Sequence, residues 1–361
     1  MAYRLLSLTA ISGEFPTDQL NRLPGSPYYL ESVITALKKD GLLRTYYRDK
    51  LRGYRLGPRA KATLLESRPD RFASYLTGNT DTNRLKCEID RRLRLHRLAE
   101  TYVTMDNAGV CVYRDEKPAI FAPEGYAGGR IVYPAFFSSR EVKEMGIDTT
   151  KIRSSRSTGI LLAPSGIFVT YNSSSALMKW RYKSEMRVKA LIWSVICQQR
   201  LSPQFRHEDV HGLLLGNSMD LAYQILTSTG GRKHDFFMLD GSYEHFLYLT
   251  NDHQGEVILA LLCDPGKTAE LDRILLQGLT ARQPGLAIEH DGISPDGSPV
   301  LFGYFCDLPR IARFNTSLEL SEHPGTLICF DFQAEVLRSY CGSQVRFQTI
   351  DFTKFEGRLF P

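Results

Sequence analysis

The run His207-Glu208-Asp209-Val210-His211 fits the pattern H-E-x-x-H. On a helix that spacing puts two imidazoles one turn apart on one face, where they hold zinc while the glutamate polarises a water. Three features count against it. Asp209 would charge a helix that zinc hydrolases bury, and the helix is confined between Pro203 and Gly212. A third ligand is not evident, because Glu244 and His245 lie beyond a strand. A zinc-dependent hydrolase using His207, Glu208 and His211 therefore stands as an alternative reading. Asp264-Pro265-Gly266-Lys267-Thr268 ends as a phosphate-binding loop ends, but Leu261 occupies the place of its first glycine, so the segment reads as a strand-to-helix turn.

A magnesium nuclease needs a helix glutamate, a strand aspartate and an acid-x-lysine on the next strand. Pro295-Asp296 falls in an Asp-Gly turn, the following strand ends in Asp307-Leu308-Pro309 without a lysine, and Glu141-Val142-Lys143 falls on a helix. These positions imply no catalytic residue and no cofactor.

The remaining chemistry is basic. The chain of 361 residues has a formal net charge of +5, but the first hundred residues carry 19 Lys and Arg against 11 Asp and Glu, and the rest 26 against 29. Between Lys38 and Lys61 there are nine basic residues and two acidic ones. A cluster of that kind neutralises phosphates and releases counterions, so it predicts a polyanion partner, namely double-stranded DNA.

The elements that would position this charge can be read from the N-terminus. Residues 3–11 form a helix ended by Gly13, and residues 16–23 a short helix. Ser26-Pro27 opens a third helix, since serine caps the free amides and proline gives up no bond at the first helical position. Leu30, Val33, Ile34 and Leu37 make its apolar stripe, leaving Tyr28, Ser32, Thr35 and Lys39 on the other face as side chains able to reach base edges or phosphates. Two β-prone runs follow around the charged tip Arg48-Asp49-Lys50, and read as a hairpin bearing Arg44, Arg48, Lys50, Arg52, Arg55 and Arg59.

Three helices and a basic hairpin are the order of a winged helix-turn-helix. Residues 1–68 resemble that family in the step Asp40-Gly41-Leu42-Leu43 and in the exit Gly53-Tyr54-Arg55-Leu56-Gly57-Pro58-Arg59. A long helix over residues 83–105, capped by Asp81 or Thr82, then places Leu85, Ile89, His96, Ala99 and Val103 on one face. His96 reads as a satisfied core histidine, and the helix as a connector or a dimer seam.

From residue 106 onward strands and helices interleave without an evident internal repeat. The reading includes strands over residues 109–113, 129–133, 235–239, 257–263 and 286–290, a hairpin over 158–171 and helices over 179–199 and 267–277, among others. The fold class is α+β: a winged helix-turn-helix (1–68), connecting helices (69–105) and a mixed α/β body (106–361) with a division near 203. Seven widely spaced cysteines without a C-x-x-C pair predict a reduced, cytoplasmic protein. The apolar N-terminal run is cut by Glu14 and Pro16 and reads as a helix, not as a signal peptide, and no run approaches the ~20 apolar residues of a membrane span.

The layout, including the basic helix with its histidine in Arg94-Leu95-His96-Arg97, resembles the replication-relaxation proteins of plasmids and conjugative elements. That resemblance implies DNA binding in plasmid or conjugative replication, mobilisation or transcriptional regulation. It further implies a body related to restriction endonucleases, here degenerate or non-catalytic, and partners that are DNA, a second copy or replication and mobilisation proteins. A winged helix that serves as a protein-interaction scaffold is the remaining alternative.

Overall fold

Ser26 caps the helix Pro27–Lys39 as its chemistry predicts, its hydroxyl accepting the amide of Tyr29 at 3.3 Å. That helix belongs to the first of two compact units, Met1–Ala122 and Pro123–Pro361, of a computed structural model. The model describes residues 1–78, 81, 88–126, 128–145, 155–228, 237–281 and 288–360. The chain is mixed α+β.

In the first unit the order is α1 (Ala2–Ser12), β1 (Phe15–Pro16), a 3-10 turn (Thr17–Arg22), α2 (Pro27–Lys39), β2 (Leu43–Arg48), β3 (Leu51–Leu56), α3 (Pro58–Ser67), α4 (Pro69–Leu76) and α5 (Ile89–Asn107). The short helix expected over 16–23 is the 3-10 turn. The two-residue strand before it pairs antiparallel with β3, giving the sheet order β1-β3-β2. The expected hairpin forms with Arg48 facing Leu51, so Asp49 and Lys50 alone make the turn. Both have positive φ, 53° and 62°, as a two-residue type I′ turn requires. Gly57 is demanded by space: a Cβ there would lie 2.0 Å from the carbonyl oxygen of Gly41.

The core of this unit is α1 and α5 packed together with β1 and β3, burying Leu5, Leu8, Phe15, Tyr102 and Val103. The segment after α5 belongs here too. Arg71 on α4 pairs with Asp115 and Glu116 and lies 4.2 Å from the centre of the Tyr113 ring. The inward stripe of α5 differs from the expected one: Ile89 is exposed, and Arg92 takes an inward position beside His96, Ala99 and Val103. Leu85 and the expected cap at Thr82 lie outside the described residues, whereas Asp81 bonds the Lys61 ammonium.

Among its described residues the second unit holds two five-stranded sheets. The first is built from β4 (Ala135–Ser138), α6 (Ser139–Val142), β5 (Ser157–Ala163), β6 (Gly166–Ser174), α7 (Tyr182–Ile192), β7 (Val210–Gly216), α8 (Met219–Leu226), β8 (Phe246–Thr250) and α9 (His253–Cys263). After α10 (Pro265–Leu275) the second follows with β9 (Thr280–Ala281), β10 (Gly292–Ile293), β11 (Pro299–Phe302), α11 (Leu308–Ser321), β12 (Gly325–Phe330), α12 (Asp331–Tyr340), β13 (Val345–Ile350) and α13 (Phe352–Leu359).

Each sheet keeps its strands in chain order, three antiparallel and then two added in parallel through helical crossovers. The second unit is therefore a repeat of one topology, which the sequence reading did not detect. The side chain of Asp252 caps α9 after Thr250, and that of Asp351 caps α13 after Thr349, so even the exits from the last strands correspond. The helices of the two halves meet where α8 packs on α12 and α11.

Several expected elements are corrected. Residues 257–263 lie within helix α9, whose Val257, Ile258, Leu259, Leu261 and Leu262 are all buried, so the apolar run lacks the two-residue alternation of a half-exposed strand. The strands expected over 109–113 and 129–133 are loop in their described parts, and β4 lies just beyond. Residues 237–239 and 288–290 are not strand either, and the remainders of those two expectations lie outside the described residues. The helix over 179–199 is α7 continued by a π-helical stretch, Trp193–Arg200.

The hairpin turn generates a stability prediction. Lys50 holds a left-handed conformation that costs a non-glycine residue about 1–2 kcal/mol. Lys50→Gly is expected to raise the unfolding free energy of the first unit by up to ~1 kcal/mol, read as a higher urea midpoint at unchanged slope.

Candidate nucleic-acid interface

Helix α2 turns Leu30, Ile34 and Leu37 into the core and leaves Val33 half-buried. Tyr28, Ser32, Thr35 and Lys39 are all exposed on the outer side, Tyr28 at 84%. Ser32 donates its hydroxyl to the carbonyl of Tyr29 at 2.8 Å, within the helix. At the C-terminal turn Lys38 places its ammonium 5.1 Å from the centre of the Tyr54 ring.

On the hairpin Arg44, Arg48, Lys50 and Arg52 are exposed, and Arg59 at the start of α3 is exposed with its guanidinium 3.3 Å from the carbonyl oxygen of Asp40. Arg48 lies 3.5 Å from the carboxylate of Asp49. Tyr47, which sequence reasoning did not single out, is 67% exposed and faces Arg52 across the hairpin. A flat ring beside a guanidinium is a stacking platform as well as a charge. Nine of the ten side chains expected to contact a polyanion thus reach solvent.

The tenth does not. Arg55 is buried, its Nε 2.9 Å and Nη2 2.5 Å from Glu14 Oε2. Arg52 and Arg55 lie on opposite faces of β3, but alternation is not the whole cause, since Arg44, the register partner of Arg55 and so on its face, is exposed. Arg55 is buried because β3 is the central strand and Glu14, with Arg92 of α5, covers that point. Glu14 is the centre of a fully buried group. Arg92 donates from Nη2 to Oε1 at 2.6 Å, and His96 donates from Nε2 to the same oxygen at 2.9 Å. Tyr46 lies against both guanidiniums, its ring centre 4.0 Å from Arg55 and 4.6 Å from Arg92. A Cβ on Gly53 would come within 2.5 Å of the Glu14 carboxylate, so the glycine makes the room this group needs.

Burial alone would raise the Glu14 pKa. The hydrogen bonds from His96, Arg92 and Arg55, with the charge of Arg55, outweigh it and hold the carboxyl at about 2. His96 is the satisfied core histidine that was expected. Neither Glu14 nor Arg92 was recognised, although Arg92 lies one turn before His96 on a stripe that is otherwise apolar.

The motifs of the second unit are placed differently from their sequence expectations. His207 and Glu208 are exposed in a 3-10 turn, His207–Asp209, and His211 stands on β7. The helix that would align the two imidazoles therefore does not form, because Val210 already begins a strand paired with β6. No group of three or more His, Cys, Asp or Glu among the described residues could hold a metal ion. Asp264 caps α10 by accepting the amides of Gly266 and Lys267 at 3.0 and 3.1 Å, so a carboxylate already occupies the place of a phosphate, and the preceding element is a helix. Glu141 is spent on a capping box with Ser138, and Asp296 on a turn with Ser294 and Ser298.

One arrangement was legible only in three dimensions. His245, just before β8, bonds through Nδ1 to Asp307 Oδ2 at 2.6 Å, and its ring meets that of His211 edge-on with centres 5.2 Å apart. The bond to Asp307 raises the His245 pKa against its partial burial, whereas desolvation and the neighbouring His245 lower that of His211 to about 4. The pair is a hydrogen-bonded dyad beside a histidine that stays neutral through the physiological range.

The chain matches no protein-family model, no curated protein and no solved structure.

Two outcomes follow from these groups. Because the folded Glu14 pKa is depressed, its contribution to stability is full above the unfolded value near 4.5 and is lost as the pH falls toward 2. Glu14→Gln should destabilise the first unit by about 3–5 kcal/mol at neutral pH, with the gap to the native chain closing between pH 4.5 and 2 in acid-dependent urea melts. Asp307→Asn should lower the His245 pKa in an imidazole NMR titration; an unchanged value would remove Asp307 as the cause.

Proposed function

We propose that the first unit is a winged helix-turn-helix domain that binds double-stranded DNA, with α2 as the recognition helix in the major groove and the β2–β3 hairpin as the wing on the backbone. The observation that carries this reading is a coincidence of surface. The outward face of α2 and the hairpin, which such a domain presents to DNA, hold Lys39, Arg44, Arg48, Lys50 and Arg52 in exposed positions, and Arg59 is exposed at the start of α3. The element order and the strand order β1-β3-β2 suit the same reading.

The second unit is proposed to act through contact rather than cleavage. Glu141 and Asp296, acids that a nuclease would need free, are engaged in a helix cap and a turn, and Asp264 takes the amides of Gly266 and Lys267 that a phosphate would need. The setting of plasmid or conjugative replication, mobilisation or regulation rests on the sequence resemblance. The zinc-hydrolase alternative loses its support with the helix that His207 and His211 would have shared.

Titration of the full chain against duplex DNA at two salt concentrations tests the reading. Affinity should fall steeply with salt, and an Arg48/Lys50/Arg52→Ala variant should flatten the slope by roughly two to three, each phosphate contact contributing about 0.9. Absence of binding at low salt would overturn the DNA assignment and favour a protein-docking winged helix.

A further inference from the structure

Arg92 does more than balance Glu14. Its Nη1 donates to the carbonyl oxygen of Arg48 at 2.7 Å and its Nη2 to that of Leu51 at 3.0 Å. Those are the two residues that close the hairpin turn. One guanidinium therefore spans the buried carboxylate on one side and both ends of the turn on the other. Its stem belongs to α5, more than thirty residues further along the chain.

The turn needs such a hold. Asp49 and Lys50 both sit in the left-handed region without being glycine, a conformation that persists only where the surroundings over-determine it. A two-stranded ribbon is also marginal by itself, and its tip would otherwise be ordered at the expense of binding. Arg92 is 0% exposed and so cannot reach a phosphate.

Resting on the DNA-binding reading, we infer that Arg92 is a positioning residue for the wing: from α5 it fixes the carbonyls of Arg48 and Leu51, so that Arg48, Lys50 and Arg52 meet the DNA backbone already ordered. The connecting helix, which carries no expected DNA contact, thereby sets the geometry of three that do. A simple charge partner for Glu14 would not require this. Lysine separates the two roles, since a single ammonium can face Glu14 but lacks the planar fork that serves the carboxylate and two carbonyls together.

The experiment uses the full chain and its Arg92→Lys variant, with thermal melts to establish folding. Duplex-DNA affinity is read over a salt series, and amide hydrogen exchange over residues 49–52. The variant is expected to melt cooperatively, to bind about five- to tenfold more weakly at low salt, and to show a salt slope shallower by about one to two, with faster exchange at the tip. A folded Arg92→Lys protein with the native slope and native tip exchange would reduce Arg92 to charge balance and overturn the inference. If that variant does not fold, Arg92→Met, which leaves Glu14 paired with Arg55 and His96, is read in the same way. Failure of the native chain to bind DNA would instead sink the proposed function, and tip exchange would still report whether Arg92 holds the hairpin.

Discussion

A carboxylate taken out of water must be surrounded by donors or it will not stay ionised, and Glu14 obeys this by drawing three elements of the first unit onto one point. It follows β1's neighbour α1 in the chain, receives Arg55 from β3 and Arg92 with His96 from α5. Much of the local sequence is then explained. Gly53 gives the carboxylate room, Tyr46 covers both guanidiniums, and α5 takes its place on α1 with a polar group inside. Such an arrangement adds little net stability over an apolar core of the same volume, but it penalises any packing in which one member is missing. It specifies where the helix and the hairpin must sit.

The separation of Arg55 from the other hairpin cations shows what a charge count leaves out. Nine basic residues between Lys38 and Lys61 looked like one cluster in the sequence. In the fold packing divides them: Arg44, Arg48 and Arg52 face solvent, whereas Arg55, on the same face of the sheet as Arg44, is covered where Glu14 and α5 pack on the central strand. Charge in a linear segment becomes a surface only after tertiary packing has decided which part of a strand face is covered.

The first unit was legible because its signals are local. Ser26-Pro27 starts a helix, Gly41 ends it, and β2 and β3 frame a charged tip, each within a few residues of the chain. Arg92 was not legible, since its partners Glu14, Arg48 and Leu51 lie 78, 44 and 41 residues away. In the second unit α9 was mistaken for a strand because its sides are buried nearly all round, which erases the helical period, although Asp252 marks its start. The dyad of His245 and Asp307 was beyond reach for the same reason as Arg92. The repeated topology escaped notice because its two copies share strand order and helix caps rather than residues.

That repetition bears on the order in which the second unit is made. Each half can assemble from one continuous stretch of chain as it emerges. The first half ends, however, on β8, and a last strand exposes unpaired backbone on its outer side. In the finished protein the Tyr248 amide donates to the carbonyl of Cys306, and Leu247 bridges to Asp307, both contributed by the second half. A newly made first half thus carries an open edge for roughly the next fifty residues of synthesis, at ≈ 5–20 residues per second an interval of several seconds. The edge stays open until residues 306 and 307 arrive to close it.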